Sequence, residues 1–423
     1  MPPEKIVRII DFWLKSIESD NLFPRKIVEK INLDTKEIID IIGPRRSGKS
    51  SILKLIIKKM DLKNNFLFIN FEDPFFIENN SPEVFENLVE VFEEYFSKDL
   101  KYLFFDEIQE INHWEKAMRK FRDAGKYKIF ITGSSSKLLS GEMSSLITGR
   151  HLSYENLPIS FKEFLYFKKI EIKQKKDIFT KEKSLQKEFS QYMKIGGFPE
   201  IALTNNEELL KSYFFDIIEK DIIARYDVRE KEILKKIAVF LLSNAGKIFS
   251  IQSLKNTFGI SFELASNYVS YLKESFLLFE LPQFGYSIKK QEKAFKKIYA
   301  IDTGIANTVS FRFSEDKGRM LENIVFLELR RRGEKIFYYK TQKNKEIDFL
   351  TWKKEKPGKL IQVAWSMDEA KTREREIKSL LEGMDELKLK EATILTESQG
   401  ELLKVGNKTV TIMPVYKWLL EEL

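Results

Sequence analysis

Nine consecutive residues near the start of this chain have the types and spacing needed to bind a phosphate group. They are Gly43, Pro44, Arg45, Arg46, Ser47, Gly48, Lys49, Ser50 and Ser51. The first eight match the pattern G-x-x-x-x-G-K-[ST], in which glycines let backbone N–H groups converge on phosphate oxygens at the amino terminus of a helix. We predict that Lys49 reaches the β- and γ-phosphates of ATP and that Ser50 binds Mg²⁺.

An acidic pair, Asp106 and Glu107, follows the apolar segment Lys101–Phe105. Behind a phosphate-binding loop, the first carboxylate of such a pair holds Mg²⁺ and the second polarises the attacking water. We therefore predict that Asp106 binds Mg²⁺ through water and that Glu107 is the catalytic carboxylate of ATP hydrolysis. Taken alone, an acidic pair at the end of a strand is also common in solvated turns.

Two further polar residues, Thr132 and Ser134, lie at and just after the end of the apolar segment Lys128–Thr132. In a parallel α/β sheet the carboxyl ends of the strands form the ligand crevice, so we expect this segment beside the strand that precedes the phosphate-binding loop. Thr132 or Ser134 would then sense the γ-phosphate or orient the attacking water. The alternative is a serine-rich turn that caps a helix beginning near Lys137.

The elements that must position these residues alternate in type along the first third of the chain. An apolar strand, Ile38–Ile42, precedes the loop, and a helix with apolar residues at helical spacing follows it up to Met60. Further strands are predicted at 66–71, 101–105 and 128–132. Four strands alternating with helices predict an α/β fold with a parallel sheet and crossover helices.

The composition excludes several kinds of site. The chain has 423 residues, no cysteine and two histidines, so thiolate chemistry is excluded and histidine-based sites are poorly supported. No apolar run approaches the roughly 18–20 residues of a membrane span, and no signal peptide pattern is visible, which predicts a cytoplasmic protein with no membrane partner. The net charge of +8 favours a nucleic-acid partner, although abundant lysine and glutamate also occur in high-temperature proteomes.

Six stretches carry a resemblance that covers nearly the whole chain. They are GPRRSGKS at 43–50, NFEDP at 70–74, YLFFDEIQ at 102–109, ITGSSSKLLS at 131–140, LITGRHLSYENLPISFKEFL at 146–165 and GGFPE at 196–200. In this order they resemble a family of P-loop ATPases that is numerous in archaea. The resemblance implies an AAA+-like ATPase core at 1–159, a helical lid at 160–228, a winged helix-turn-helix at 229–300 and a nuclease-like α/β domain at 301–423.

The resemblance also implies that Arg150 approaches the γ-phosphate as an arginine finger or sensor. A guanidinium at that point would neutralise charge in the transition state. The alternative is a structural salt bridge. The tight turn at Gly196–Pro199, inside the predicted lid, is expected to be structural.

Residues 229–300 have the pattern of a DNA-binding module. Helices are expected over Leu234–Ser243, after a cap at Ser250 and over Phe262–Glu274. The turn at 258–261 has the length and the glycine of a helix-turn-helix.

Strands at 277–281 and 295–301 would complete this module as a wing. The connection between them concentrates positive charge, which suits contacts with DNA phosphates. The lysines concerned are Lys289, Lys290, Lys293, Lys296 and Lys297. Winged helices also dock proteins, so a protein partner is the alternative.

Residues 301–423 have the layout of a restriction-endonuclease-like core, with a helix at 318–329 followed by strands at 335–340, 346–352 and 359–364. In active members of that superfamily a helix glutamate, a strand aspartate, and a glutamate or glutamine followed two residues later by lysine hold metal and water. Glu322, Asp348 and Gln362 match this pattern, but the lysine position is Ala364. We therefore predict a degenerate site without nuclease activity.

Three functions remain open at this point. The first is a Mg²⁺-dependent ATPase that works as a switch or remodeller and engages DNA through the winged helix. The second is a signalling or scaffold ATPase that docks a protein partner, and the third is an ATP-dependent nuclease. The oligomeric state is also open, since an arginine finger acting in trans would require neighbouring subunits.

Overall fold

Two units make up the chain in the computed structural model, the first ending at Leu157 and the second beginning at Pro158. The residues that the structure describes are 2–134, 149–287, 289, 291, 294–310 and 316–421. Within these ranges, no helix has the length and apolar character needed to cross a membrane.

A five-stranded parallel sheet forms the centre of the first unit. Its strands are β1 (Ile38–Ile42), β2 (Phe66–Asn70), β3 (Tyr102–Asp106), β4 (Lys128–Gly133) and β5 (His151–Glu155). The order is β2-β3-β4-β1-β5, so β4 lies beside β1 as expected, and the four predicted strands are confirmed. β5 gives no apolar run in the sequence, because it is a partly buried edge strand.

Two helices, α1 (Pro3–Ser19) and α2 (Ile27–Lys30), precede the first strand of this sheet. The helices between its strands are α3 (Lys49–Lys59), α4 (Phe75–Glu78), α5 (Glu83–Tyr95) and α6 (Trp114–Ala124). Ile52 and Ile56 of α3 share a buried core with Ile39 of β1 and Ile17 of α1. This core fixes the strand before the phosphate-binding loop and the helix after it.

Helices also open the second unit, in the region predicted as a lid. They are α7 (Phe161–Phe167), α8 (Lys175–Thr180), α9 (Glu182–Ile195), α10 (Pro199–Thr204), α11 (Glu208–Asp216), a π-helical stretch (Ile217–Ile223) and α12 (Ala224–Tyr226). Ser160 caps the start of α7 with a capping box. Its hydroxyl oxygen accepts a hydrogen bond from the backbone N–H of Glu163, and its own backbone N–H donates to the Glu163 carboxylate. The role of this region as a lid stays a prediction.

The Gly196–Gly197 turn between α9 and α10 is built around a buried carboxylate. Asp302 accepts hydrogen bonds from the backbone N–H of Gly197 at 2.7 Å and of Ile305 at 3.1 Å. Gly196 has a φ of 76°, and a β-carbon on it would overlap the Asp302 carboxylate. Burial raises the pKa of Asp302 to about 6. The turn is therefore structural, as the sequence analysis expects.

Three helices and a small antiparallel sheet follow. They are α13 (Lys231–Ser243), α14 (Ile251–Phe258) and α15 (Phe262–Glu274), with β6 (Ile248–Phe249), β7 (Leu278–Leu281) and β8 (Lys296–Ala300). The strand order is β6-β8-β7, and both pairings are antiparallel. Ser250 and Ser261 cap α14 and α15 through their hydroxyl oxygens, which fixes where both helices begin. The three predicted helices are confirmed.

A six-stranded mixed sheet and its helices complete the chain. The elements are α16 (Thr303–Val309), α17 (Lys317–Arg331), β9 (Lys335–Lys340), β10 (Glu346–Lys353), β11 (Lys356–Val363), α18 (Ala370–Glu386), β12 (Glu391–Thr396), β13 (Glu401–Val405), β14 (Lys408–Pro414) and α19 (Val415–Leu420). The strand order is β13-β14-β12-β11-β10-β9, with β11, β12 and β14 parallel. The predicted helix and three strands are confirmed, and the likeness to restriction endonucleases stays a prediction.

Candidate functional site

The phosphate-binding loop lies between the carboxyl end of β1 and the first residue of α3. Gly48 has a φ of 89°, a left-handed conformation that suits glycine, and it turns the chain into α3. The Lys49 side chain is 3% exposed, and its Nζ lies 3.0 Å from Glu107 Oε1 and 3.3 Å from the carbonyl oxygen of Pro44. The loop therefore presents its lysine to the acidic pair at the end of β3.

Polar side chains from neighbouring strands hold this acidic pair in place. Thr132 donates its hydroxyl proton to Asp106 Oδ1 at 2.5 Å and accepts a hydrogen bond from the backbone N–H of Glu107 at 2.9 Å. Asn70 donates to Asp106 Oδ2 at 2.7 Å, and Gln109 donates to Glu107 Oε2 at 2.6 Å. Thr132 therefore holds both residues of the acidic pair, and its predicted role toward water or the γ-phosphate stays a prediction.

Two serines complete the polar lining of the site. The Ser50 hydroxyl is hydrogen-bonded to Asp106, which brings together the two predicted Mg²⁺ ligands. Ser134 is fully buried, and its Oγ lies 3.5 Å from Nε2 of Gln109, the amide that also contacts Glu107. The predicted role of Ser134 toward water or the γ-phosphate stays a prediction.

Burial and neighbouring charges set the protonation of the acidic pair. Burial, followed by the Glu107 carboxylate, raises the pKa of Asp106 to about 6. Burial also acts to raise the pKa of Glu107, but Lys49 leads several groups whose combined effect lowers that pKa below its ordinary value. Glu107 is therefore ionised in the neutral range, the state in which a carboxylate can accept a proton.

The donor set fits Mg²⁺ and a nucleotide phosphate. Ser50 and Asp106 offer a hydroxyl and a carboxylate oxygen, and Mg²⁺ prefers oxygen ligands. The loop supplies backbone N–H groups at the amino terminus of α3, where the helix dipole favours an anion. This arrangement can bind a nucleoside triphosphate and, through Glu107, can activate a water molecule.

Two residues outside the predicted site brace the loop. Arg25 is buried, and its guanidinium donates to the carbonyl oxygen of Ser47 at 3.0 Å. It also donates to Asn156 Oδ1 and to the carbonyl oxygen of Leu157, each at 2.9 Å. Asn156 donates to the carbonyl oxygen of Ser47 at 2.9 Å, and a β-carbon on Gly43 would overlap the Asn156 carbonyl oxygen. Asn156 falls within the family-like stretch at 146–165, whereas Arg25 belongs to no motif.

Replacing Arg25 with lysine is expected to weaken ATP binding by about tenfold. One ammonium cannot span the three acceptors, and a buried acceptor left without its partner costs roughly 1–3 kcal/mol. Titration with a fluorescent ATP analogue measures the effect. Arg119→Lys, on the exposed face of α6, is the matched control with no expected change. Wild-type affinity in Arg25→Lys would contradict the bracing role.

Arg150 lies at the edge of the sheet opposite the phosphate-binding loop. Its carbonyl oxygen accepts a hydrogen bond from Ile38 N–H at 2.9 Å, at the amino end of β1. Five residues of β1, or roughly 16 Å, separate this point from the loop. The Arg150 side chain instead pairs with Asp123 at 3.1 Å. In this arrangement Arg150 cannot reach a nucleotide bound to its own chain. The arginine finger stays a prediction only for a nucleotide bound to a neighbouring subunit.

The lysines predicted to contact DNA in the wing differ in exposure and in ion pairing. Lys290 and Lys293 lie outside the described residues, and Lys289 is exposed. Lys296 is partly exposed and pairs with a glutamate of β7 at 3.2 Å. Lys297 is 2% exposed and forms ion pairs with buried carboxylates. The prediction that Lys297 contacts DNA phosphates is therefore wrong.

The predicted nuclease residues Glu322, Asp348 and Gln362 come together from α17, β10 and β11. The backbone N–H of Asp348 donates to Gln362 Oε1 at 3.2 Å. Glu322 Oε1 and Asp348 Oδ1 each lie 2.9 Å from Lys297 Nζ. An ammonium from β8 thus reaches the site in which Ala364 replaces the expected lysine, and a pattern read along β11 could not reveal it.

Comparison with known protein families gives a match to most of the first unit. A family model described as an AAA domain matches residues 35–165, which contain the phosphate-binding loop and the acidic pair. Two further models, both described as domains of unknown function, match residues 186–316 and 317–418. The AAA match supports the P-loop ATPase core that the motifs indicate.

Two relatives span almost the whole chain. The uncharacterized protein MJ1544 of Methanocaldococcus jannaschii is 40% identical over 95% of this chain and 93% of its own length. An uncharacterized protein of Haemophilus influenzae is 30% identical over 92% of this chain and 95% of its own length.

Among solved structures, the match to the Aeropyrum pernix ORC1 protein in complex with DNA covers 75% of this chain and 93% of that one, with a TM-score of 0.30 and 11% identity. A likeness this distant carries no weight for function.

Proposed function

Because this chain belongs to the same protein family as MJ1544 and contains an AAA domain, we propose that it is an ATP-hydrolysing switch that engages DNA. The contact with DNA is made through the middle module, which consists of α13 to α15 and β6 to β8. One observation carries the ATPase part of the proposal. Lys49, Ser50, Asp106 and Glu107 converge at the carboxyl edge of one parallel sheet, with Lys49 Nζ 3.0 Å from Glu107 and Ser50 bonded to Asp106.

In this function each residue has a separate task. Lys49 and the loop N–H groups bind the β- and γ-phosphates, Ser50 and Asp106 hold Mg²⁺, and Glu107 takes the proton of the attacking water. Mg²⁺, when bound, neutralises charge on the phosphates. Lys49 Nζ lies 3.0 Å from Glu107 Oε1, so the ammonium that would contact the phosphates is also the ion-pair partner of the catalytic carboxylate.

The DNA part of the proposal rests on the module formed by α13 to α15 and β6 to β8. Three helices with a three-stranded antiparallel sheet agree with the predicted winged helix. Lys289 is exposed in the connection between β7 and β8, and Lys296 is partly exposed at its end. Such lysines support phosphate contacts, which give affinity and salt dependence but no base recognition.

Steady-state ATP turnover, measured with and without duplex, single-stranded and branched DNA, tests both parts together. We expect turnover that requires Mg²⁺ and is stimulated by DNA. Duplex affinity should fall with rising salt, with a log–log slope of about 0.9 per phosphate contact. Charge reversal of Lys289, Lys290 and Lys293 should flatten that slope, whereas Lys183→Glu, at an exposed lysine of α9, should leave it unchanged.

Two results would contradict this proposal. Absence of Mg²⁺-dependent turnover under all conditions would refute the ATPase assignment. Turnover with negligible DNA affinity in both ATP and ADP would refute the DNA assignment. The latter result would favour the signalling or scaffold ATPase, in which the same module docks a protein partner.

A further inference from the structure

A second buried group of charged side chains lies in the second unit. Its centre is Lys297 of β8, whose Nζ lies 2.9 Å from a carboxylate oxygen of Glu322, of Glu346 and of Asp348. Tyr299, two residues further along β8, donates its hydroxyl proton to Glu322 Oε1 at 2.6 Å. We call these four charged residues, Lys297, Glu322, Glu346 and Asp348, the ammonium cluster.

The Lys297 ammonium has as many N–H groups as there are carboxylates around it. A lysine ammonium has three N–H donors and no acceptor, and three carboxylates surround it at hydrogen-bond distance. Burial acts to lower the pKa of Lys297, but Asp348, Glu322 and their neighbours raise it well above its ordinary value. The ammonium therefore has no lone pair with which to accept a proton, and two of its N–H groups donate to Glu322 and Asp348.

We propose that the Lys297 ammonium occupies the position of a divalent cation in the ammonium cluster, so that this nuclease-like domain carries an internal counter-ion in place of a metal ion. The cluster then has a structural task. It joins β8, a strand of the middle module, to α17 and β10 of the six-stranded sheet. With an ammonium in place of a metal ion, the three carboxylates would not support cleavage of a phosphodiester.

The surroundings of Asp348 agree with this role. Its Oδ2 accepts a hydrogen bond from the backbone N–H of Val363 at 3.0 Å, while Oδ1 is committed to Lys297. Val363 and Ala364 also line a cleft of about 360 Å³, with Arg375 and Glu376 of α18 on its wall. Within the described residues, no member of the ammonium cluster lines this cleft, so a ligand there would not touch the three carboxylates.

Removal of the ammonium should convert the ammonium cluster into a cation site. Burial raises the pKa of Glu322 to about 7, and Lys297 is among the groups that oppose this rise. Without Lys297, three carboxylates from α17 and β10 face a vacated space, and oxygen donors of this kind bind Mn²⁺, Ca²⁺ and lanthanides.

Terbium luminescence tests the proposal on the 423-residue chain without nucleotide, with Tyr299 as the sensitising group. Lys297→Ala is expected to bind Tb³⁺ at least tenfold more tightly than the wild type. Adding Asp348→Asn to that variant should return the affinity to the wild-type level. Lys404→Ala, at an exposed lysine of β13, is the matched control and should behave as the wild type.

A second measurement decides the question even where Lys297→Ala fails to fold. Mn²⁺ is titrated calorimetrically into the wild type and into Asp348→Asn, and both are expected to give the same weak response. Mn²⁺ binding to the wild type that Asp348→Asn removes would overturn the proposal, as would plasmid cleavage in Mn²⁺ that Asp348→Ala abolishes. A folded Lys297→Ala variant with wild-type Tb³⁺ affinity would overturn it as well.

Discussion

Glu107→Gln is expected to lower the rate of ATP turnover by roughly 10²–10⁴-fold while nucleotide binding persists. Glutamine keeps the shape of the side chain and its contact with Gln109, but its amide cannot accept a proton from water. Lys49 also loses the ion-pair partner that it has at 3.0 Å, which leaves it free for phosphate. The affinity for ATP should therefore equal or exceed that of the wild type.

The comparison with Lys49→Ala separates binding from chemistry. Lys49→Ala removes the cation that contacts the phosphates, so it should lose both affinity and turnover. Glu90→Gln, an exposed glutamate of α5, is the matched control and should retain both. The measurements are steady-state phosphate release and titration with a fluorescent ATP analogue. Turnover within a few fold of the wild type in Glu107→Gln would show that another group activates the water.

Gly196→Ala is expected to destabilise the second unit strongly. The backbone conformation at Gly196, with a φ of 76° and a ψ of −161°, is one that alanine adopts only at a cost of roughly 1–3 kcal/mol. The new β-carbon would also overlap the Asp302 carboxylate and force it away from the N–H groups of Gly197 and Ile305. Both effects lower the free energy of unfolding, and thermal denaturation measures their sum.

Gly333→Ala is the matched control for this prediction. Gly333 also has a positive φ, of 74°, but a β-carbon there would meet none of the described residues within contact distance. Its destabilisation should therefore reflect the backbone alone. Equal melting temperatures for the two variants would show that Asp302 moves aside without cost.

Much of the first unit could be predicted from the sequence, because its signals are local. The loop from Gly43 to Ser50 and the pair Asp106 and Glu107 follow apolar strands that are buried on both faces, so strand and site are visible in the same few residues. Serine caps also made helix starts predictable in the middle module, where Ser250 marks the start of α14. Local patterns of this kind define elements and the ends of strands.

The remaining features depend on contacts between distant segments. Arg25 contacts Ser47 and Leu157 only because the sheet brings three separate segments together. Lys297 looked like a surface lysine in a basic stretch, and its burial among carboxylates depends on α17 and β10. Arg150 was placed near the phosphates by the family resemblance, whereas the direction of β5 carries it to the opposite edge.

The way the chain leaves the first unit has a mechanical consequence. The backbone N–H of Asn156 donates to the carbonyl oxygen of Ile42 at 2.6 Å, directly below the loop, and Leu157 is tied to Arg25. A tensile load applied to the backbone beyond Pro158 would therefore strain the floor of the phosphate-binding loop before it reached the interior of the sheet. In a single-molecule pulling experiment, a nucleotide bound to the loop should stabilise these contacts. The force needed to break them should therefore be higher with nucleotide than without it.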